Sequence, residues 1–334
     1  MEVHPAGSDS FFYEKRNLLR IENLRTYFFL EKGTVKAVDG VNVEIGEGET
    51  LGLVGESGCG KSVTALSLMR LVPYPGKIID GSILFDGQDI LKLNDEEMRK
   101  VRGKKISMIF QDPTAALNPV YKVGEQIAEI LQLHEKLSKA EALKRAKEML
   151  DLVGIPSAQD RLEDYPHQLS GGMRQRVMIA MALACNPKML IADEPTTNLD
   201  VTIQAQILEL MKELRSKFSS SIMLITHHLG LVAEMCDKVA VMYSGEIVEY
   251  TDTKTLFKAP KHPYTQGLLK CIPTVTGRLQ SLFYIKGSIP DPFNLPSGCR
   301  FHPRCPYAFD RCKTEKPELK EVAPNHKVSC HLYD

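Results

Sequence analysis

Two short stretches of this chain carry residues able to handle phosphate and a divalent metal. The first, Gly55-Glu56-Ser57-Gly58-Cys59-Gly60-Lys61-Ser62, follows the apolar run Thr50–Val54 and opens a helical pattern over Lys61–Leu71. Glycines in that setting let successive backbone N–H groups turn inward around phosphate oxygens, and the helix N-terminus adds its positive dipole end. Lys61 is a point charge for β and γ phosphates, the Ser62 hydroxyl a ligand for Mg²⁺, and Val63 completes the cradle. Cys59 fills a variable position of the loop, with a redox-sensitive thiol as the alternative. The second stretch, Met189-Leu190-Ile191-Ala192-Asp193-Glu194, is an apolar strand ending in two acids. A buried parallel strand delivers such acids to a ligand crevice. Asp193 suits the Mg²⁺ shell, and Glu194 suits a general base acting on water. Together the stretches describe binding and hydrolysis of ATP.

These groups need strands whose carboxyl ends share one crevice. β-Branched and apolar content predicts strands at Leu18–Phe29, Val35–Ile45, Thr50–Val54, Ser82–Phe85, Ile106–Phe110, Met189–Ala192, Ser221–Thr226, Lys238–Met242 and Glu246–Tyr250. Helical periodicity marks Lys61–Leu71, Val123–His134, Lys139–Leu152, Gly171–Ala184, Thr202–Phe218 and Leu229–Met235. Strand and helix alternate in the second half, which predicts parallel strands joined by crossover helices. The early strands, meeting at Asp39-Gly40 and Gly46-Glu47-Gly48, predict an antiparallel edge sheet. Between Asp112 and His167 the chain is almost wholly helical, so a helical subdomain over about 112–175 is inserted into the α/β core. Pro, Gly and Cys become frequent from Pro260. The expected division is an arm at 1–17 with no assigned function, a core domain at 18–259 and an extension at 260–334. No repeat appears, so one nucleotide-binding unit is expected. Lys+Arg and Asp+Glu balance at 42 each, so no overall field points to nucleic acid. The apolar run Val177–Cys185 is too short for the ~18–20 residues that span a bilayer, and no signal peptide opens the chain. The expectation is a cytoplasmic protein that meets a membrane only through partners.

Leu169-Ser170-Gly171-Gly172-Met173-Arg174-Gln175-Arg176 opens a helix, with Ser170 as N-cap and two glycines exposing N–H groups at its positive end. Alone this is an ordinary helix start. Lying between the phosphate loop and Asp193, it resembles the signature motif of ABC-type ATPases. Other segments agree with that family in order. Gln111 in Ile109-Phe110-Gln111-Asp112-Pro113 resembles the Q-loop, Asn198-Leu199-Asp200 the D-loop, and His227 after Leu224-Ile225-Thr226 the switch histidine. Phe28 resembles the aromatic that stacks on adenine, with Tyr27 as a rival. The resemblance implies an α/β fold: a P-loop ABC-type ATPase core with an antiparallel β edge sheet, the helical subdomain and a small Cys-rich C-terminal extension. It implies Glu194, His227 and Gln111 as catalytic groups, and Ser62, Gln111 and Asp193 around Mg²⁺. It also implies that Ser170, Gly171, Gly172 and Asp200 reach ATP held by a second subunit facing head to tail. The chain departs from the family in having His228 where an acid is frequent and Met173 where Gln is common.

The tail narrows the resemblance. His262-Pro263-Tyr264-Thr265-Gln266-Gly267-Leu268-Leu269 and Gly298-Cys299-Arg300-Phe301-x-Pro303-Arg304-Cys305-Pro306 are similar to the C-terminal extension of dipeptide/oligopeptide importer ATPases, as is Phe110–Pro113 with Leu117-Asn118-Pro119. That implies a peripheral subunit at the cytoplasmic face of the membrane. Its partners would be a second ABC ATPase subunit (self or paralogue), two transmembrane permease subunits and, indirectly, an external peptide-binding protein. Nickel importers share the architecture and are the alternative. A soluble ABC ATPase acting on DNA or the ribosome would bring coiled coils or two ATPase units, and neither is present. A redox or metal-sensing regulator is a further alternative, against which Glu194 and His227 stand. For Cys299, Cys305, Cys312 and Cys330 the residues leave four readings open: a disulfide, Zn²⁺, a [4Fe–4S] cluster, or no metal. A reducing cytosol disfavours the disulfide, and close C-x2-4-C pairs usual for zinc are absent. A [4Fe–4S] cluster tolerates wider loops, fits Cys305-Pro306, and is compatible with the extension of this family; it is the expected reading, as a structural staple.

Overall fold

In the computed structural model, residues 17–197, 199–272 and 284–334 are described; most of the expected arm, and Asn198 of the D-loop segment, lie outside them. Two sheets form. The first is antiparallel, in the order Gly33–Gly46, Asn17–Leu30, Gly76–Phe85, Gln88–Asp89. Its leading hairpin turns at Glu31-Lys32, since Leu30 pairs with Gly33. Asp39-Gly40, expected as a turn, lies inside the strand. Gly40 (φ +83°) is a bulge where the register slips between Leu24↔Val41 and Arg25↔Asp39. Asp39 is fixed there because its N–H donates to the Gly245 carbonyl (2.8 Å) and its carboxylate accepts from the Tyr27 hydroxyl (2.7 Å).

The second sheet has the order Lys320–Ala323, His326–Val328, Glu246–Asp252, Lys238–Tyr243, Thr50–Val54, Ser221–Thr226, Met189–Asp193, Ile106–Ile109. From Lys238–Tyr243 to Ile106–Ile109 every neighbouring pair is parallel. Thr50–Val54, Ser221–Thr226 and Met189–Asp193 are buried at every residue, as parallel strands covered on both faces must be. On one face Leu51, Ile191 and Met223 pack with Leu68 of helix Lys61–Leu68 and with Leu19, Ile21 and Val41 of the first sheet. On the other, Leu190, Ala192 and Leu224 pack with Ile127, Val177 and Ile207. Those three residues belong to helices Val123–Glu135, Gly171–Leu183 and Val201–Phe218. The lobe between Asp112 and Gly171 also holds Lys139–Leu152, started by a Ser138/Glu141 capping box. No helix among the described residues is long and apolar enough to cross a membrane.

The tail extends this sheet. His326–Val328 pairs antiparallel with Glu246–Asp252 through Glu249↔Val328, and Lys320–Ala323 adds a last strand. Strands of three and four residues are too short to show a period in sequence. A buried carboxylate fastens the junction. Glu249, fully buried, accepts the N–H groups of Lys261 (2.7 Å) and His262 (2.9 Å) and pairs with His326 Nε2 (2.7 Å). Removing one partner from such a buried group strands the others. Glu249→Ala is therefore expected to lower unfolding stability by about 3 kcal/mol, measured by urea denaturation, with proteolysis opening the chain first near Lys261.

Candidate functional site

The loop after Thr50–Val54 needs its glycines for space. A Cβ on Gly55 (φ +154°) would lie 2.2 Å from the Met242 carbonyl oxygen, and one on Gly60 (φ +108°) 2.1 Å from that of Ala37. The loop is thus wedged between the neighbouring strand and the first sheet. Lys61 is buried and its Nζ donates to the carbonyls of Gly55 (2.8 Å) and Glu56 (3.0 Å), drawing the loop round its own ammonium. Cys59 is buried behind the loop, where burial pushes its thiol pKa up, so its side chain fills space.

A cleft of about 570 Å³ opens over the loop, lined by Glu56, Ser57, Gly58, Gly60, Lys61, Ser62 and Val63. Gln111, Glu194 and His227 wall its far side, and Ala37 and Ile289 complete it. Ser62 Oγ donates to Asp193 Oδ1 at 3.1 Å, a hydroxyl–carboxylate pair of the hard oxygen donors that Mg²⁺ takes. Burial, helped by the neighbouring Glu194 charge, raises the Asp193 pKa against the lowering effect of Ser62. Glu194 is the hub of a second group. It accepts from Gln111 Nε2 (3.1 Å) and Thr197 Oγ1 (2.9 Å), and its other oxygen meets His227 Nδ1 (3.1 Å). Its backbone sits at φ +46°, a left-handed conformation held by Glu194 N–H donating to Ile225 O (2.9 Å) and by these side-chain bonds. Thr197 was not singled out by sequence; its place three residues after Glu194, in a turn closed by Thr197 N–H to Glu194 O, is the available signal.

The remaining expected residues lie elsewhere. His227 faces Glu194, whereas His228 caps helix Leu229–Met235 and donates its N–H to Thr226 Oγ1. Phe28 is half-buried against Gly76 and does not line the cleft, while its rival Tyr27 is buried on Asp39. Ser170 caps its helix by accepting the Met173 N–H, and Asp200 caps Val201–Phe218 by accepting that of Ile203. Ser170, Gly171 and Asp200 are exposed, none lines the cleft, and a Cβ on Gly172 would lie 3.0 Å from the Ile203 side chain at the foot of the neighbouring helix. Met173 packs on the lobe core, which gives that departure a packing reason.

Cys299, Cys305, Cys312 and Cys330 are free and drawn together at the tail, with Cys299 N–H donating to Cys312 O. The expected metal centre is not found: among the described residues no three His, Cys, Asp or Glu side chains are arranged to hold a metal ion. Burial, aided by the neighbouring thiols, pushes Cys299 up to about 12 and Cys330 up to about 11, and raises Cys305.

Comparison with known proteins adds to this geometry. The family model described as ABC transporter matches residues 38–197, and that described as oligopeptide/dipeptide transporter, C-terminal region, matches 248–312. The oligopeptide transport ATP-binding protein AppD of Bacillus subtilis is 55% identical, the match covering 95% of this chain and 97% of the relative. The dipeptide transport ATP-binding protein DppD of Escherichia coli is 48% identical over 94% and 96%. Among solved structures, a dimeric post-hydrolysis ATP-binding cassette bound to ADP and Pi superposes with a TM-score of 0.64 at 29% identity, covering 70% of this chain and 98% of the other. CbiO1 of Clostridium perfringens, part of an ABC transporter complex, gives 0.62 at 30% identity over 73% and 91%.

The electrostatics of Glu194 can be tested directly. Burial pushes its carboxyl upward, but hydrogen bonds from His227 and Thr197 outweigh burial and hold the pKa below the usual glutamate value. Thr197→Val removes one of those bonds, so the Glu194 pKa is expected to rise, followed by NMR titration of the carboxyl carbon.

Proposed function

This chain belongs to the ABC transporter ATP-binding proteins of the oligopeptide/dipeptide branch, and we propose that it drives peptide import by hydrolysing ATP at the Gly55–Ser62 loop. The observation that carries this reading is the Glu194 group, a carboxylate hydrogen-bonded to Gln111, Thr197 and His227 across a cleft from Lys61. Peptide as the solute, ahead of nickel, is supported by the C-terminal family match and by the names of the relatives.

In this reading the loop N–H groups and Lys61 bind the β and γ phosphates. Ser62 and Asp193 would hold Mg²⁺, with Gln111 beside them, and the ion supplies charge neutralisation at the phosphates when bound. Glu194 takes a proton from water as its oxygen bonds to the γ-phosphorus and the bond to the bridging oxygen breaks, leaving ADP and phosphate. His227 and Gln111 aim the carboxylate. Phe28, which stands outside the phosphate cleft against Gly76, would meet adenine only beyond that cleft. Ser170, Gly171, Gly172 and Asp200, remote from the chain's own cleft, serve the ATP of a second subunit, which the dimeric cassette structure supports. The unit at 18–259 with its lobe at 112–175 forms the motor, 260–334 the extension. Docking beneath two permease subunits places the chain at the cytoplasmic face of the membrane, where lobe movement is passed on.

Glu194→Gln is expected to bind ATP yet hydrolyse at least ~100-fold more slowly, read by phosphate release alongside nucleotide titration and dimer formation on a sizing column. Normal turnover would refute Glu194 as the base. A [4Fe–4S] cluster, with Zn²⁺ as the alternative, would require Cys299, Cys305, Cys312 and Cys330 to close up from their present arrangement, in which, among the described residues, no three side chains are set to hold a metal. Anaerobically purified protein should then absorb near the visible and carry iron; colourless protein with one zinc, or with no metal, removes the cluster.

A further inference from the structure

Glu56 presents a problem that the loop alone does not solve. It is the second residue of the phosphate loop and it lines the cleft, so its carboxylate stands beside the place assigned to a polyanion. An uncompensated negative charge there would repel the nucleotide. The compensation comes from the far end of the chain. Arg304 Nη1 and Nη2 donate to Glu56 Oε2 (2.7 Å) and Oε1 (3.0 Å), a parallel two-bond fork across 248 residues of sequence. The Arg304 side chain is only 4% exposed, its guanidinium lying 5.8 Å from the ring centre of Tyr243 and 6.0 Å from that of Phe301. Desolvating a guanidinium this far requires a carboxylate partner, and Glu56 is its ion-pair partner among the described residues.

A second bond from the extension reaches the same residue. The Glu56 N–H donates to the Tyr264 hydroxyl (2.9 Å), and the Glu56 carbonyl is one of the two that hold Lys61. The extension thus grips the side chain and the amide of one peptide unit whose carbonyl in turn places the phosphate-binding lysine. Ile289, also from the extension, forms part of the cleft wall.

We propose that Arg304 is a positioning residue of the nucleotide site, supplied by the C-terminal extension to neutralise and orient Glu56 so that the loop can accept phosphate. The inference rests on the reading of Gly55–Ser62 as the phosphate cradle. It differs from a fold-holding role in one respect: the need for Arg304 exists only while Glu56 is charged.

The test is Mg²⁺-ATP titration of the full chain by calorimetry. Arg304→Ala should weaken ATP binding about tenfold, and by less at high salt than at low salt. In the Glu56→Gln background the same substitution should cost less than about twofold. Arg304→Lys, which keeps the charge but loses the two-bond fork and the contact with the rings, should bind more tightly than Arg304→Ala and more weakly than the parent. Should Arg304→Ala fail to fold by circular dichroism, Arg304→Met, of similar volume, takes its place in the cycle. Unchanged ATP affinity in the arginine variant, or an equal loss with and without Glu56, would overturn the proposal. Lys61→Ala separates the two claims, since unimpaired ATP binding in that variant would sink the cradle reading itself.

Discussion

The parallel registry of four buried strands is the constraint on which the rest of the site depends. Val54 pairs with Thr226, Asp193 with Ile225, and Ile109 with Ala192, so their carboxyl ends finish at one level. The residues that follow each strand are Gly55, His227, Glu194 and the turn to Gln111. A polypeptide leaving parallel strands at a common edge must deliver those side chains to the same crevice. Shifting one strand by a single residue would exchange its buried faces and move its terminal side chain away. The complete burial of these strands makes such a slip costly, and that is how an apolar core fixes a polar site.

The polar groups are secured more locally. Lys61 is tied to its own loop, Ser62 to Asp193, and Glu194 to Gln111, Thr197 and His227. The Ser62–Asp193, Gln111–Glu194 and His227–Glu194 ties join residues that different strands bring to the crevice. Strain concentrates there too, in the left-handed backbone of Glu194.

The extension is stitched to this core by buried polar contacts rather than resting on it. Glu249 holds Lys261, His262 and His326, while Arg300 pairs with Asp39 and Glu246. Tyr243 meets Tyr264 and Phe301 edge to face, and the Arg304 guanidinium lies over Tyr243 and Phe301. One continuous set of contacts therefore runs from the cysteine-bearing turn to the phosphate loop.

Local chemistry was legible in the sequence wherever it depends on neighbours along the chain. The loop Gly55–Ser62, the acids Asp193 and Glu194, the helix start at Ser170 and the strands Thr50–Val54 and Ser221–Thr226 follow from residue type, spacing and apolar periodicity. The Asp39-Gly40 bulge read as a turn because a glycine with positive φ looks alike in both, and only strand pairing separates them. The short strands at Lys320–Ala323 and His326–Val328 carry too few residues for a period, and they exist because Glu246–Asp252 offers an edge. Thr197 is brought to Glu194 by the turn that follows the strand end. The pairing of Glu56 with Arg304 lies beyond any pattern in the chain, because it depends on folding the last elements back over the first loop. Sequence by itself determined what chemistry this protein carries; tertiary structure decided which charges meet, since ion pairs between distant residues form only where packing has already set the distance.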